Sequence, residues 1–135
     1  MNRPESPRAL LIGAAIAIAI LGNLVHNAIE FGIGSVLASQ NGELPLAFLW
    51  IAGFLTWWRF PQARLPAAWF LIALAGLNLI GGAVITVLPL GFLPFEPEQS
   101  LTHYLAHVIY GVAQLPVLAI LLREVRAPAA APRQA

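Results

Sequence analysis

Apolar residues fill this chain in four long runs, 9–39, 44–60, 66–88 and 101–122. Between them lie three breaks: Gln40-Asn41-Gly42-Glu43, Pro61-Gln62-Ala63-Arg64-Leu65 and the stretch 89–100. A helix that crosses a membrane needs about 20 mostly apolar residues, and polar or proline-rich breaks are what inter-helix loops require. The pattern predicts an all-α integral membrane protein, a four-helix antiparallel bundle over 9–122. A segment 1–8 precedes the bundle, and a low-complexity tail over 123–135, ending "APAAAPRQA", is expected to be disordered. The first run is longer than a perpendicular span needs, so it must tilt, protrude or bend. Gly32 and Gly34 mark the expected bend.

The opening "MNRPESPRALLIGAAIAIAILG" has the basic start and apolar core of a signal peptide. The apolar run continues well past the length of such a core, so we read it as the first span. No internal repeat is visible.

Composition strengthens the membrane reading. Of 135 residues, 59% are hydrophobic and 10% charged, against roughly 25% charged in soluble domains. The length allows one small domain. A net charge of +1 argues against a nucleic-acid partner, and the absence of cysteine excludes disulfides and thiolate metal sites. The expected surroundings are membrane lipid, with a homo-oligomer or a larger membrane complex as further partners.

The placement of charge gives direction. All seven basic residues are Arg: Arg3 and Arg8 before the first run, Arg59 and Arg64 between the second and third, and Arg123, Arg126 and Arg133 after the fourth. In a four-span chain they share one side, while Glu43, Glu96 and Glu98 fall on the other. Arginine-rich flanks stay in the cytoplasm, so both termini are expected inside, in a bacterial inner membrane. Trp57, Trp58 and Trp69 are expected at the inner interface.

Polar residues inside the runs follow helical spacing. In the first, Asn23, His26, Asn27 and Glu30 are separated by 3, 1 and 3 positions; in the fourth, His103, His107, Tyr110 and Gln114 by 4, 3 and 4. Each set falls on one helix face. The third run adds Asn78, close to Gly76, Gly81 and Gly82, and the second offers only Thr56. At 1.5 Å rise per residue, Glu30 lies roughly 13 Å from Ser39, His107 roughly 9 Å from Leu101 and Asn78 roughly 15 Å from Leu88. The polar groups of three helices therefore share a depth in the outer half of the membrane. Thr102 reads instead as an exposed helix-start residue near Ser100.

Ionisable groups inside a bilayer cost a few kcal/mol each, face inward and usually have a task. The plainest reading is that Asn, Gln, His and Tyr hydrogen-bond the helices together, at about 0.6 kcal/mol per contact. A sharper reading is a transition-metal site for Zn, Fe or Cu, in a redox or sensing role. His26/Glu30 and His103/His107 are i,i+4 pairs, each able to project two ligands toward one ion. Asn27, Asn78, Tyr110 and Gln114 would then orient the ligands. His103, two residues inside its run, is the ligand most exposed to dropping out. Haem b is an alternative cofactor, held between His26 and His103 or His107, although the outer half lacks an Arg for the propionates.

A further alternative is a small lipid-active enzyme using His26 and Glu30 in acid–base chemistry. "HNAIEFG" resembles the His-x-x-x-Glu helix of the sterol-isomerase and sigma-2-receptor-like membrane family. The resemblance covers one helix of four. The second run lacks another buried acid, so it does not carry that family's acid–base roles onto this chain. A structural subunit of a larger complex is the remaining alternative.

Overall fold

The computed structural model describes residues 6–34 and 43–126. Arg3, Ser39, Gln40, Asn41, Gly42, Arg133 and the tail 127–135 lie outside the described residues. The described chain is all-helical. Helix α1 is Ser6–Phe31, α2 is Glu43–Arg59 and α3 is Arg64–Leu77. A π-helix, Asn78–Ile85, continues α3, and α4 is Leu101–Arg126. Three helical stretches, Pro7–Phe31, Pro61–Ile85 and Leu101–Arg126, are long and apolar enough to cross a membrane. The 17 residues of α2 extend about 25 Å, a little under the hydrocarbon thickness of about 30 Å.

Local chemistry explains where the helices begin and end. Pro7 sits in the first turn of α1, where its missing N–H costs nothing. The helix stops at Phe31 because Gly32 takes the left-handed conformation, with φ of 81°, the usual glycine terminator. Helix α1 thus ends inside the first apolar run, of which residues 35–39 lie outside the described residues. Helix α2 ends where Pro61 forces Phe60 into extended backbone, φ −118° and ψ 95°. Pro61–Ala63 then forms a single 3-10 turn, so the expected loop is a tight corner. Helix α4 starts on a Ser100 cap, whose Oγ accepts the His103 N–H at 3.2 Å. It runs four residues beyond the expected end at Leu122.

The third run does not stay α-helical. Asn78 turns its Nδ2 back onto the carbonyl of Leu74 at 2.7 Å, competing with the normal i−4 ladder. From that residue the backbone widens into the π-helix, which contains the flexible pair Gly81-Gly82.

The apolar core lies among α1, α2, α3 and the second half of α4. Ile12, Ala15, Ile16 and Ala19 meet Trp50, Trp57, Ala68, Leu71, Val117 and Leu121 there. Trp57 is therefore a core residue, with the Arg64 guanidinium 5.9 Å over its ring, whereas Trp58 and Trp69 are exposed. Large apolar side chains such as Leu10, Phe48, Leu77, Leu101 and Val108 point outward all round the molecule. So much exposed apolar surface fits a lipid-facing exterior.

Candidate functional site: a three-histidine cluster

Three elements build the polar site: the last two turns of α1, the π-helix and the first half of α4. Helix α2 contributes nothing to it. Helices α1 and α4 make the closest approach. A Cβ on Gly22 would collide with the Ala113 methyl, while between α4 and the π-helix one on Gly111 would fall 3.0 Å from the Cβ of Ala83. Pairs along the two helices step in register. Arg8 meets Glu124 at 3.6 Å, His26 meets His107 at 3.3 Å, and Glu30 meets His103 at 2.6 Å. The four residues read from the sequence as ligands are brought together. All three histidines are buried, and the Glu30 side chain is 12% exposed.

Each histidine directs Nδ1 at an oxygen. His26 Nδ1 lies 2.9 Å from Asn27 Oδ1, His103 Nδ1 lies 2.6 Å from Glu30 Oε2, and His107 Nδ1 lies 2.9 Å from the Gly82 carbonyl oxygen. Carbonyl and carboxylate oxygens only accept, so Nδ1 is the donor wherever such an oxygen is its partner. In a neutral imidazole protonated at Nδ1, Nε2 is an acceptor. The Nε2 atoms of His26 and His107 are hydrogen-bonded to each other at 3.3 Å, a long contact. The third, His103 Nε2, is buried without a hydrogen-bond partner. Its ring centroid is 4.4 Å from that of His107, which is 4.5 Å from that of His26.

The residues expected to orient the histidines divide into two groups. Asn27 does so directly. Asn78, Tyr110 and Gln114 form a neighbouring network instead: the Tyr110 hydroxyl donates to Asn78 Oδ1, and Gln114 Nε2 donates to the Tyr110 carbonyl at 3.2 Å. Tyr110 touches the cluster through its ring, 5.0 Å from that of His26. His103 lies near the start of α4 but does not drop out, because Glu30 holds it. Thr102 is exposed in the first turn of α4. The Gly82 carbonyl, which orients His107, has no signal at the level of side chains; its only trace in the sequence is the Gly81-Gly82 pair.

Among the described residues, no group of three or more His, Cys, Asp or Glu side chains is arranged so that it could hold a metal ion. No protein-family model, curated protein or solved structure matches the chain.

Proposed function

We propose that this protein is a four-span antiparallel membrane bundle with both termini in the cytoplasm, and that it binds a transition-metal ion at the His26, Glu30, His103 and His107 cluster. The site lies in the outer half of the bilayer and serves a redox or sensing role. The observation that carries this reading is the pair of Nε2 atoms 3.3 Å apart, on rings whose Nδ1 atoms are committed to oxygens. Two nitrogens bound to one tetrahedral ion at about 2.0–2.1 Å stand about 3.3–3.4 Å from each other. The same spacing leaves no slot for a macrocycle between the rings, which favours a bare ion over haem b.

The test is metal content per chain, measured beside a thermal melt. Wild-type protein is expected to carry stoichiometric zinc, iron or copper. His26→Ala and His107→Ala are each expected to abolish it, since a buried ion keeps too few ligands. A metal-free wild type whose melt does not move on adding any of the three ions would overturn the reading. The histidines would then be inter-helix hydrogen-bonding groups, with the Asn27 amide turned to donate to His26 Nδ1 and His26 Nε2–H donating to His107.

A further inference from the structure

We propose that the cleft between the start of α1 and the end of α4 binds one anionic phospholipid. Its phosphate is held by the guanidiniums of Arg8 and Arg123, and its glycerol end lies over Leu11, Ile12 and Ile120. The inference rests on the membrane-spanning helices and is independent of the metal reading.

The cleft has a volume of about 230 Å³ and is lined by Arg8, Leu11, Ile12, Ile120, Arg123 and Glu124. Ile12 is buried, whereas Arg8 and Arg123 are exposed, so apolar residues form the floor and cations the rim. Neither cation is used up inside the protein. Arg8 Nη1 stands 3.6 Å from Glu124 Oε1, on side chains 67% and 34% exposed. That is beyond hydrogen-bond distance, and an exposed pair of this kind contributes little. Arg123 makes no ion pair among the described residues. Arg59 and Arg64 differ, because their guanidiniums lie 5.6 Å and 5.9 Å over the rings of Trp58 and Trp57. No aromatic ring lines the α1–α4 cleft.

Depth identifies the ligand. Pro7–Phe31 and Leu101–Arg126 are each long and apolar enough to cross a membrane. Arg8 is one residue from the start of the first and Arg123 three from the end of the second. In a membrane both charges therefore stand where acyl chains give way to headgroups, whichever way the chain is threaded. Basic pockets between spanning helices are where anionic headgroups dock. The planar guanidinium fork matches phosphate oxygens in pairs. Two guanidiniums against one carboxylate leave the cleft positive, which selects an anionic lipid over a zwitterionic one carrying its own cation. The apolar floor commits the site to a lipid rather than to free phosphate, which would gain nothing from it.

The test is native mass spectrometry of the full chain, delipidated in detergent and titrated with phosphatidylglycerol or phosphatidylcholine. One phosphatidylglycerol per chain is expected to bind about 5-fold more tightly than phosphatidylcholine, the effect of one net positive charge beside a headgroup. Arg8→Gln and Arg123→Gln are each expected to weaken phosphatidylglycerol binding about 5-fold, and Glu124→Gln to tighten it by about the same factor. Arg59→Gln removes the same charge outside the cleft and is expected to change affinity by about 2-fold or less, because screening is strong at a distance. Equal losses in Arg59→Gln and Arg123→Gln would show a diffuse charge effect and overturn the cleft as the site. Equal binding of the two lipids by wild type would overturn the headgroup preference. Unchanged or weaker binding in Glu124→Gln would overturn the placement of the phosphate. Displacement of the lipid by inorganic phosphate would make the cleft an anion site with no lipid and overturn the proposal. Circular dichroism of each variant separates loss of lipid from loss of fold.

Discussion

The Tyr110 hydroxyl donates to Asn78 Oδ1 while its ring lies against His26, so one side chain serves two functions that substitution can separate. Tyr110→Phe keeps the ring and removes the donor. Asn78 Oδ1 then stays buried without its partner, at a cost of about 1–3 kcal/mol. The expected outcome is a lower melting temperature with metal content unchanged; lost metal would place the phenol oxygen on the ion. Gln114 presents the opposite case. It is 1% exposed, its Oε1 has no hydrogen-bond donor, and its Nε2 makes one bond, to a carbonyl on its own helix. Replacing a half-satisfied buried amide by an apolar group of similar size is often neutral or stabilising. Gln114→Leu is therefore expected to leave the melt and the metal content as they were. Both residues shared a helix face with the histidines in the sequence, yet spacing could not distinguish a group that touches an imidazole from one a turn away. That distinction depends on which side chain the facing helix presents, and it is set by packing.

Among the helices, the π-helix matters most to the site. It sets the Gly82 carbonyl against His107 Nδ1, and its close approach depends on the missing side chain at Gly82. A Cβ there would fall 2.5 Å from Tyr110 Cε1 and 2.9 Å from Tyr110 Oη. Gly82→Ala must displace either the Tyr110 ring, which lies against His26, or the segment that carries the Gly82 carbonyl. The expected cost is about 1–3 kcal/mol of stability, as for other overpacked sites, together with weaker metal binding. Gly76, six residues earlier in the same span, is the control: nothing lies within 4 Å of an added Cβ. Gly76→Ala is expected to be neutral or to stabilise by about 0.5–1 kcal/mol, as alanine does in helix interiors, with metal unchanged. Paired melts and metal titrations of the two variants check both statements. The same segment shows where sequence reading stops. The faces carrying His26 and Glu30, or His103 and His107, were legible because helical periodicity is local. The end of α1 at Gly32 was legible as a glycine able to break a helix. The π-helix was not, because its cause is a contest between the Asn78 side chain and the backbone ladder, and its product is a carbonyl. Nor was the Glu30–His103 pairing, which spans 73 positions and depends on how two helices slide against each other.

At the scale of the whole molecule, apolar and polar interiors are segregated along the helix axes. The apolar core holds Ile12, Trp57, Ala67 and Leu121, which are the core residues nearest in sequence to Arg8, Arg59, Arg64 and Arg123. The histidine cluster lies toward the other ends of α1 and α4, beyond Ala19 and before Val117. The arginine pattern and the polar pattern were independent in the sequence, and together they are the basis for proposing that the histidine cluster lies on the side of the bilayer opposite the arginines. Arginine-rich ends resist translocation, so the short corner containing Gln62 is expected in the cytoplasm and the connection before α4 outside. The native chain has no cysteine, which allows a clean test with single introduced thiols. A cysteine at Gln99 is expected to react with a membrane-impermeant thiol reagent on intact cells. A cysteine at Gln62 is expected to react only after the membrane is opened. The reverse pattern would invert the bundle. His107, six residues or about 9 Å along α4 from Leu101, would then lie near the cytoplasmic face. Labelling therefore decides which compartment the histidine cluster is nearer to as well as which way the chain is threaded.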